Sequence, residues 1–244
     1  YPFHGIQSTV SGVGVNVAKA LHRLGHSVQL HSLIGPDLAG DTVMMALEQT
    51  GIPAHGMSRT LSATPQSVIL YDPDGRRQIQ VDLKECQEMS LPDGYESALQ
   101  QCELAILCNI NFSRPLLATA KRLNKLIACD VHVLWDIDDD YNREFMAAAD
   151  ILFLSDEGLD GRPAEAFIRS LAQRYHNRFI IMGCGRNGAL LYQSALDEFF
   201  HAPAIAPRGV INTIGAGDAL FSAFIHEWLQ HGDLRLALRR ACLF

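Results

Sequence analysis

Apolar positions along the chain recur with two different periods, and the period changes in blocks. After Gly12 and Gly14, the residues Val17, Ala20, Leu21 and Leu24 fall on one face at helical spacing, and Gly25 supplies a stop. Residues 28–34 form a short strand-like run. Residues 41–49 predict a second helix, ended by Gly51, Ile52 and Pro53. Residues 67–71 and 78–83 flank Asp72, Pro73, Asp74 and Gly75, and Asp-Gly between apolar-rich runs predicts a hairpin. No helical pattern separates these two runs, so they predict a small β-flap.

From Leu104 the pattern alternates. Strand-like runs at 104–108, 126–131, 151–154 and 179–182 are separated by helical patterns at 114–123, 141–149 and 164–175. A further strand is expected at 189–192, then a loop to Pro207, then a long helix over 216–230 with Gly232 beyond it. Alternation of this kind predicts an α/β fold with a mostly parallel sheet covered by helices. Ligands in such sheets bind at the carboxyl ends of the strands.

Composition sharpens this picture. The 244 residues suffice for one sizeable domain, and 48% apolar with 19% charged residues is ordinary for a globular protein. A net charge of −7 argues against a nucleic-acid surface and against an anionic membrane. The six cysteines form no C-x-x-C pair, which suggests reduced thiols and a cytoplasmic setting. No run is long and apolar enough to span a bilayer. Both ends are expected to be incomplete. Residues 1–7 contain no methionine, and residues 241–244 fall inside an apolar helical run.

The candidate chemistry is concentrated at residues 212–218, N-T-I-G-A-G-D. Gly215, Ala216 and Gly217 are small enough for close backbone approach, and a helix follows at once. Its first N–H groups lack helical partners and, with the helix dipole, favour a negative charge. Asp218 sits in the first turn, placed to take a proton from a hydroxyl. An anion hole beside a base suits transfer of a γ-phosphoryl group to an alcohol. The spacing equally allows a helix capped by Asn212 or Thr213, with Asp218 only complementing the dipole.

Other segments are less specific. In residues 11–16, S-G-V-G-V-N, the glycines could admit a ligand and Asn16 could bind vicinal hydroxyls, or the segment could simply start a helix. Residues 183–188 match G-x-G-x-x-G, but a strand-like run follows where a dinucleotide site needs a helix, so a turn is expected. No Walker A loop and no G-x-S-x-G elbow occurs. Asp130 and His132 end one strand and Asn109 and Asn111 another, facing either a ligand or a loop. His22 and His26 straddle Gly25, which disfavours a metal pair. The acidic run 136–140 predicts a solvated loop, because it lacks His or Glu partners at ligand spacing.

Taken together, these motifs resemble the ribokinase-like (PfkB) carbohydrate kinases. Gly12, Gly14, Asn16, Ala18, Gly25 and Gly35 fall in register with that family's N-terminal pattern, and residues 212–218, continued by Ser222, Ala223 and Phe224, with its C-terminal one. The resemblance covers essentially the whole chain. It implies a three-layer α/β sandwich with a small β-sheet lid, here about residues 1–10 and 64–84. It implies an ATP-dependent kinase acting on a hydroxymethyl group of a sugar or nucleoside, with Mg²⁺. Asp218 would be the base and Gly215–Gly217 the anion hole. Gly12, Asn16 and Asn109 would lie toward substrate, and Thr213, Gly185 and Gly188 toward nucleotide. A homodimer through the lid is plausible in this family.

The chain also departs from the pattern. Asn is present at 212 where the family more often has Asp, and Ser11 stands where Gly or Ala is usual. The family's N-x-x-E motif, tied to Mg²⁺ and phosphate, is replaced by Ser155-Asp156-Glu157-Gly158, so Asp156 or Glu157 would have to act, through water. The family's usual substrate-binding Asp on the first strand and its C-terminal adenine-enclosing segment are not found in the chain. Residues 12–16 are somewhat like those of pseudouridine kinases, which keeps a nucleoside acceptor open beside a free sugar. The altered motif at 155–158 also keeps open a catalytically silent sugar- or nucleotide-binding relative.

Overall fold

The central strands are buried almost continuously, and their side chains alternate between two cores, which sets up the layers of this α/β fold. The structure is a computed structural model that describes residues 6–71, 77–92, 94–205 and 213–243. The chain runs α1 (Val13–Arg23), β1 (Ser32–Leu33), α2 (Leu38–Thr50), β2 (Met57–Ser58), and the hairpin strands β3 (Gln66–Tyr71) and β4 (Arg77–Asp82). It continues through α3 (Tyr95–Gln101), β5 (Leu104–Ile106), α4 (Arg114–Arg122), β6 (Leu126–Val133), α5 (Arg143–Ala148) and β7 (Ile151–Ser155). Then come α6 (Ala164–Tyr175), β8 (Phe179–Gly183), β9 (Ala189–Gln193), β10 (Glu198–Ala202), α7 (Ala216–His231) and α8 (Leu234–Ala241).

The main sheet has six strands in the order β10-β9-β8-β7-β6-β5. β5 to β8 are parallel, and β9 and β10 return antiparallel at one edge. Successive side chains of a strand point to opposite faces. Leu152 and Leu154 of β7 therefore join the core under α4, α5 and α6, while Ile151 and Phe153 join the core under α1, α7 and α8. Ile180 and Met182 divide from Phe179 and Ile181 in the same way on β8. Two helical layers with the sheet between them result, as the strand–helix alternation predicts.

Several elements differ from the sequence-based expectation. Of the strand-like run at 28–34, only Ser32 and Leu33 enter a ladder, pairing in parallel with Met57 and Ser58. Val28 and Leu30 pack through their side chains instead. Where a loop to Pro207 is expected, β10 forms and pairs with β9 along its full length. Phe199 turns to one core and Phe200 to the other, so a pair of adjacent aromatics marks a strand. α3 is an added short helix, and α8 is a separate helix capped by the Asp233 carboxylate, which accepts from the amides of Arg235 and Leu236.

The predicted hairpin is present, with β3 and β4 paired from Gln66–Asp82 to Tyr71–Arg77. Its turn, with Asp72, Pro73, Asp74 and Gly75, lies outside the described residues, as do residues 1–5 and Asn212. The hairpin stands off the body. Val68, Leu70, Ile79 and Val81 are each about half exposed, and they are spread over both of its faces.

A polar knot fixes the base of the hairpin. Asp37 caps α2 by accepting from the Gly40 amide, and it also accepts from the Thr64 amide and hydroxyl. The Thr64 hydroxyl oxygen in turn accepts from the Gly35 amide at 2.9 Å. Gly35 lies so close to the Ala63 backbone that an added Cβ would sit 2.5 Å from it. Thr64 is buried, so Thr64→Val should strand the Gly35 amide and destabilise the fold by roughly 1–3 kcal/mol in urea unfolding. The hydrogen bonds of Thr64 and Gly40 hold the Asp37 carboxyl down at about 2. A depressed carboxyl stabilises fully above its unfolded value, and that contribution disappears as pH falls through the folded value. The loss of thermal stability between about pH 4 and pH 2 should therefore be smaller in Asp37→Asn than in the wild type.

Candidate active site

The two distant glycine-rich segments meet at one hydrogen bond. α1 and α7 lie side by side against the same face of the sheet. Gly12 adopts φ 115° at the start of α1, a region that favours glycine, and open space lies where a side chain would be. One turn into α1, the Asn16 amide nitrogen donates to Asp218 Oδ2 at 2.7 Å. Ser11 Oγ donates to the Asn16 carbonyl oxygen at 3.2 Å, which orients the amide.

Asp218 lies in the first turn of α7. Gly215 precedes that helix at φ 75° with no side chain capping the turn. Among the described residues, the amides of Ala216 and Ala219 find backbone acceptors in Thr213 and Gly215, whereas those of Gly217 and Asp218 do not. Nothing lies within 4 Å of where a Cβ on Gly217 would be. The helix start thus offers free donors and room beside a carboxylate, the arrangement that suits a phosphate-sized anion. Burial pushes the Asp218 carboxyl up, and the Asn16 donor and the charge of His132 pull it back. Ser222 is fully buried and bonds back to the Asp218 carbonyl, so its role is to hold the turn.

The carboxyl end of β6 adds a second acid. Asp130 is 5% exposed, and burial pushes its carboxyl up against the pull of His132. Its Oδ1 accepts from the His132 amide at 2.8 Å, and its Oδ2 lies 3.5 Å from His132 Nδ1. Cys108, just past β5, is a feature that the sequence reading passed over. Its sulfur lies 3.5 Å from the position of a Cβ on Gly14. Burial, with Asp130 and Asp218 nearby, pushes its thiol up to about 12, so it remains neutral. The signal for it was its position at the carboxyl end of a parallel strand.

The remaining candidates divide. The Asn109 amide donates to Asn142 Oδ1 at 3.0 Å, tying that side chain to the loop before α5. Asn111 bonds to Gln87 and accepts from Arg114, which makes it structural. Residues 183–188 form the expected turn between β8 and β9. Gly185 and Gly188 both have positive φ, and a Cβ on Gly188 would strike the Ala202 carbonyl at 2.0 Å. Asp156 and Glu157 follow β7 in a short 3-10 turn, where burial and the neighbouring Glu157 push Asp156 up. Asp156 lies near Cys184 of the 183–188 turn. The acidic loop 136–140 is engaged in Asn142 capping and in pairs with Arg143 and Arg174. No cluster of three metal-ligating side chains occurs among the described residues, and none of their helices is long and apolar enough to cross a membrane.

An α/β sandwich with a glycine-preceded helix start beside a carboxylate is an arrangement that suits phosphoryl transfer. A family profile described as pfkB family carbohydrate kinase matches residues 3–244. The chain belongs to the pfkB family and is a carbohydrate kinase. It is 28% identical over 245 residues to an acarbose 7(IV)-phosphotransferase from an Actinoplanes species, covering 98% of this chain and 80% of that protein. It is 26% identical over 252 residues to a deoxyribokinase from Salmonella typhi, covering 96% and 79%. Among solved structures, a microbiome-derived acarbose kinase superposes with TM-score 0.83 at 26% identity, covering 94% of this chain and 77% of that one. A putative ribokinase II from E. coli superposes with TM-score 0.80 at 21% identity over 95% and 79%, which establishes the ribokinase-like fold.

The Asn16 bond gives a direct expectation. Asn16→Ala removes a donor that favours the ionised carboxylate. In a carbon-detected NMR titration, Asp218 should then titrate at higher pH than in the wild type. An unchanged or lower midpoint would contradict the assignment.

Proposed function

We propose that this kinase transfers the γ-phosphoryl group of ATP to a hydroxymethyl group of a sugar or nucleoside. The observation that carries the reading is the hydrogen bond from Asn16 to Asp218, which joins the family's two motifs. The acceptor oxygen attacks the γ-phosphorus while Asp218 takes its proton. The bond from the γ-phosphorus to the β–γ bridging oxygen breaks, and ADP leaves. Of the Gly215–Gly217 turn, the Gly217 amide, which has no backbone acceptor among the described residues, stabilises the charge on the transferring group, whereas the Ala216 amide is already bonded to the Thr213 carbonyl and is not part of the anion hole. Gly12 and Asn16 face the acceptor, and Asn109 lies on that side. Thr213, Gly185 and Gly188 face the nucleotide.

Mg²⁺ is the expected metal, and Asp156 and Glu157 are the residues that would hold it. Their chemistry fits, because Mg²⁺ takes one or two carboxylates, keeps several waters and leans on substrate phosphates. When bound, it supplies charge neutralisation at the phosphates. The charge of Asp156 acts on Cys184 of the turn proposed to face the nucleotide, which supports this role. The hairpin β3–β4 acts as the lid, and its half-exposed apolar residues suit contact with the lid of a second copy. The single-domain reading, with lid elements at about 1–10 and 64–84, and a cytoplasmic setting complete the proposal.

Turnover of ATP with a panel of free sugars and nucleosides tests the reading. Asp218→Asn should lower kcat by about 10²–10⁴-fold for whichever acceptor is used. Full activity in that variant would overturn the mechanism, and no turnover by the wild type would favour a silent binding relative. Glu157→Gln should raise the magnesium concentration required for half-maximal rate. An unchanged metal response would remove Glu157 from the metal site.

A further inference from the structure

The pair Asp130 and His132 stands at the carboxyl end of β6, near enough to Asp218 for its charge to act there, and has no part in the reaction as assigned. Asp130 is almost wholly buried, yet it is a potential charge. Burying such a group is costly without partners, so its presence calls for a reason. It is held at both oxygens by one residue, the amide and the ring nitrogen Nδ1 of His132. His132 adopts φ 58°, a left-handed backbone uncommon for residues other than glycine. It sits where the pairing of β6 with β7 slips out of register, between Asp130 and Val133. Irregularities of this kind re-aim side chains next to active sites. The imidazole is 44% exposed, and its charge bears on Asp218. With Nδ1 turned to Asp130, Nε2 has no hydrogen-bond partner among the described residues.

We infer that His132, braced by Asp130, is an acceptor-selecting residue, and that the acceptor is an uncharged polyol. Nε2 takes one hydroxyl of the acceptor while a second hydroxyl is presented to Asp218. Asp130 acts as a positioning residue, fixing the ring and its tautomer as carboxylates do for ligating histidines. The same carboxyl, with Asp218, places two potential negative charges close enough to act on one another. An anionic acceptor such as a sugar phosphate would meet repulsion there, whereas a neutral sugar or nucleoside would not. The inference rests on the kinase reading above, and it narrows the class of acceptor.

The test compares D-ribose and inosine with D-ribose 1-phosphate as acceptors, using ATP. His132→Asn tolerates the left-handed backbone but is too short to reach the acceptor. It should raise KM for the neutral acceptor about tenfold while kcat changes less than about threefold, as loss of one binding hydrogen bond predicts. KM for ATP should not move. His132→Gln restores a donor at nearly the same reach and should recover most of the loss. Asp130→Asn should raise kcat/KM for D-ribose 1-phosphate relative to D-ribose. An unchanged acceptor KM in His132→Asn overturns the inference, as does a wild-type preference for the phosphorylated acceptor. Calorimetric binding of D-ribose and inosine, without ATP, separates this inference from the kinase reading. If the wild type binds but does not phosphorylate, weakened binding in His132→Asn supports the role of His132 while the proposed transfer fails. Equal binding by both proteins, or none by the wild type, overturns the role of His132.

Discussion

The packing of α1 against α7 is the constraint on which the site depends. Each helix begins with a glycine at positive φ, and each carries its functional side chain within about a turn of that start. Neither segment is a site alone. Val17 and Leu21 of α1 share a core with Phe221, Phe224 and Ile225 of α7. Farther along the pair, His26 Nε2 lies 2.9 Å from His226 Nδ1, so one ring donates to the other. These contacts fix the helices along much of their length, and the Asn16 amide is thereby held at the Asp218 carboxylate without needing a lid to close. For the proposed base, such a hold would set the geometry before substrate arrives, which is how preorganised sites lower a barrier.

Around this pair the fold separates the proposed binding roles by strand. The carboxyl end of β6 carries Asp130 and His132 on the proposed acceptor side, and the turn after β8 carries Gly185 and Gly188 on the proposed nucleotide side. The end of β7, with Asp156 and Glu157, lies between them. The polar knot of Asp37, Thr64 and Gly35 ties the start of α2 to the entry of the hairpin. Any movement of the hairpin as a lid would therefore pivot on a rigid base and not on a loose loop.

Much of this was legible in the sequence because it is local. The alternation from Leu104 onward gave the parallel strands and their helices, since each strand alternates its own side chains between two cores. The helix start after Gly215 was legible because glycines and an immediate apolar helical pattern are contiguous features. What escaped was non-local or masked by neighbours. β10 follows a turn in which Asp197 takes φ 50°, and its two phenylalanines part to opposite faces only once β9 is beside it. The knot at Asp37 joins residues 27 apart in sequence and carries no periodic signal. Cys108 carries no local signal beyond its strand end, and only the fold brings the charges of Asp130 and Asp218 to bear on it. Asn109 and Asn111 looked alike at a strand end, but their partners differ, and those partners come from other segments.

The central claim is that Asn16 and Asp218 work as one unit. A double-mutant cycle on kcat/KM, with Asn16→Ala, Asp218→Asn and the double variant, tests it most directly. Residues in contact show coupling of roughly 0.5–3 kcal/mol, whereas independent residues add. The account predicts that Asn16→Ala, costly in the wild type, costs far less when Asp218 is already Asn. Strictly additive effects would contradict it, because Asn16 would then act without regard to the carboxylate to which it is bonded.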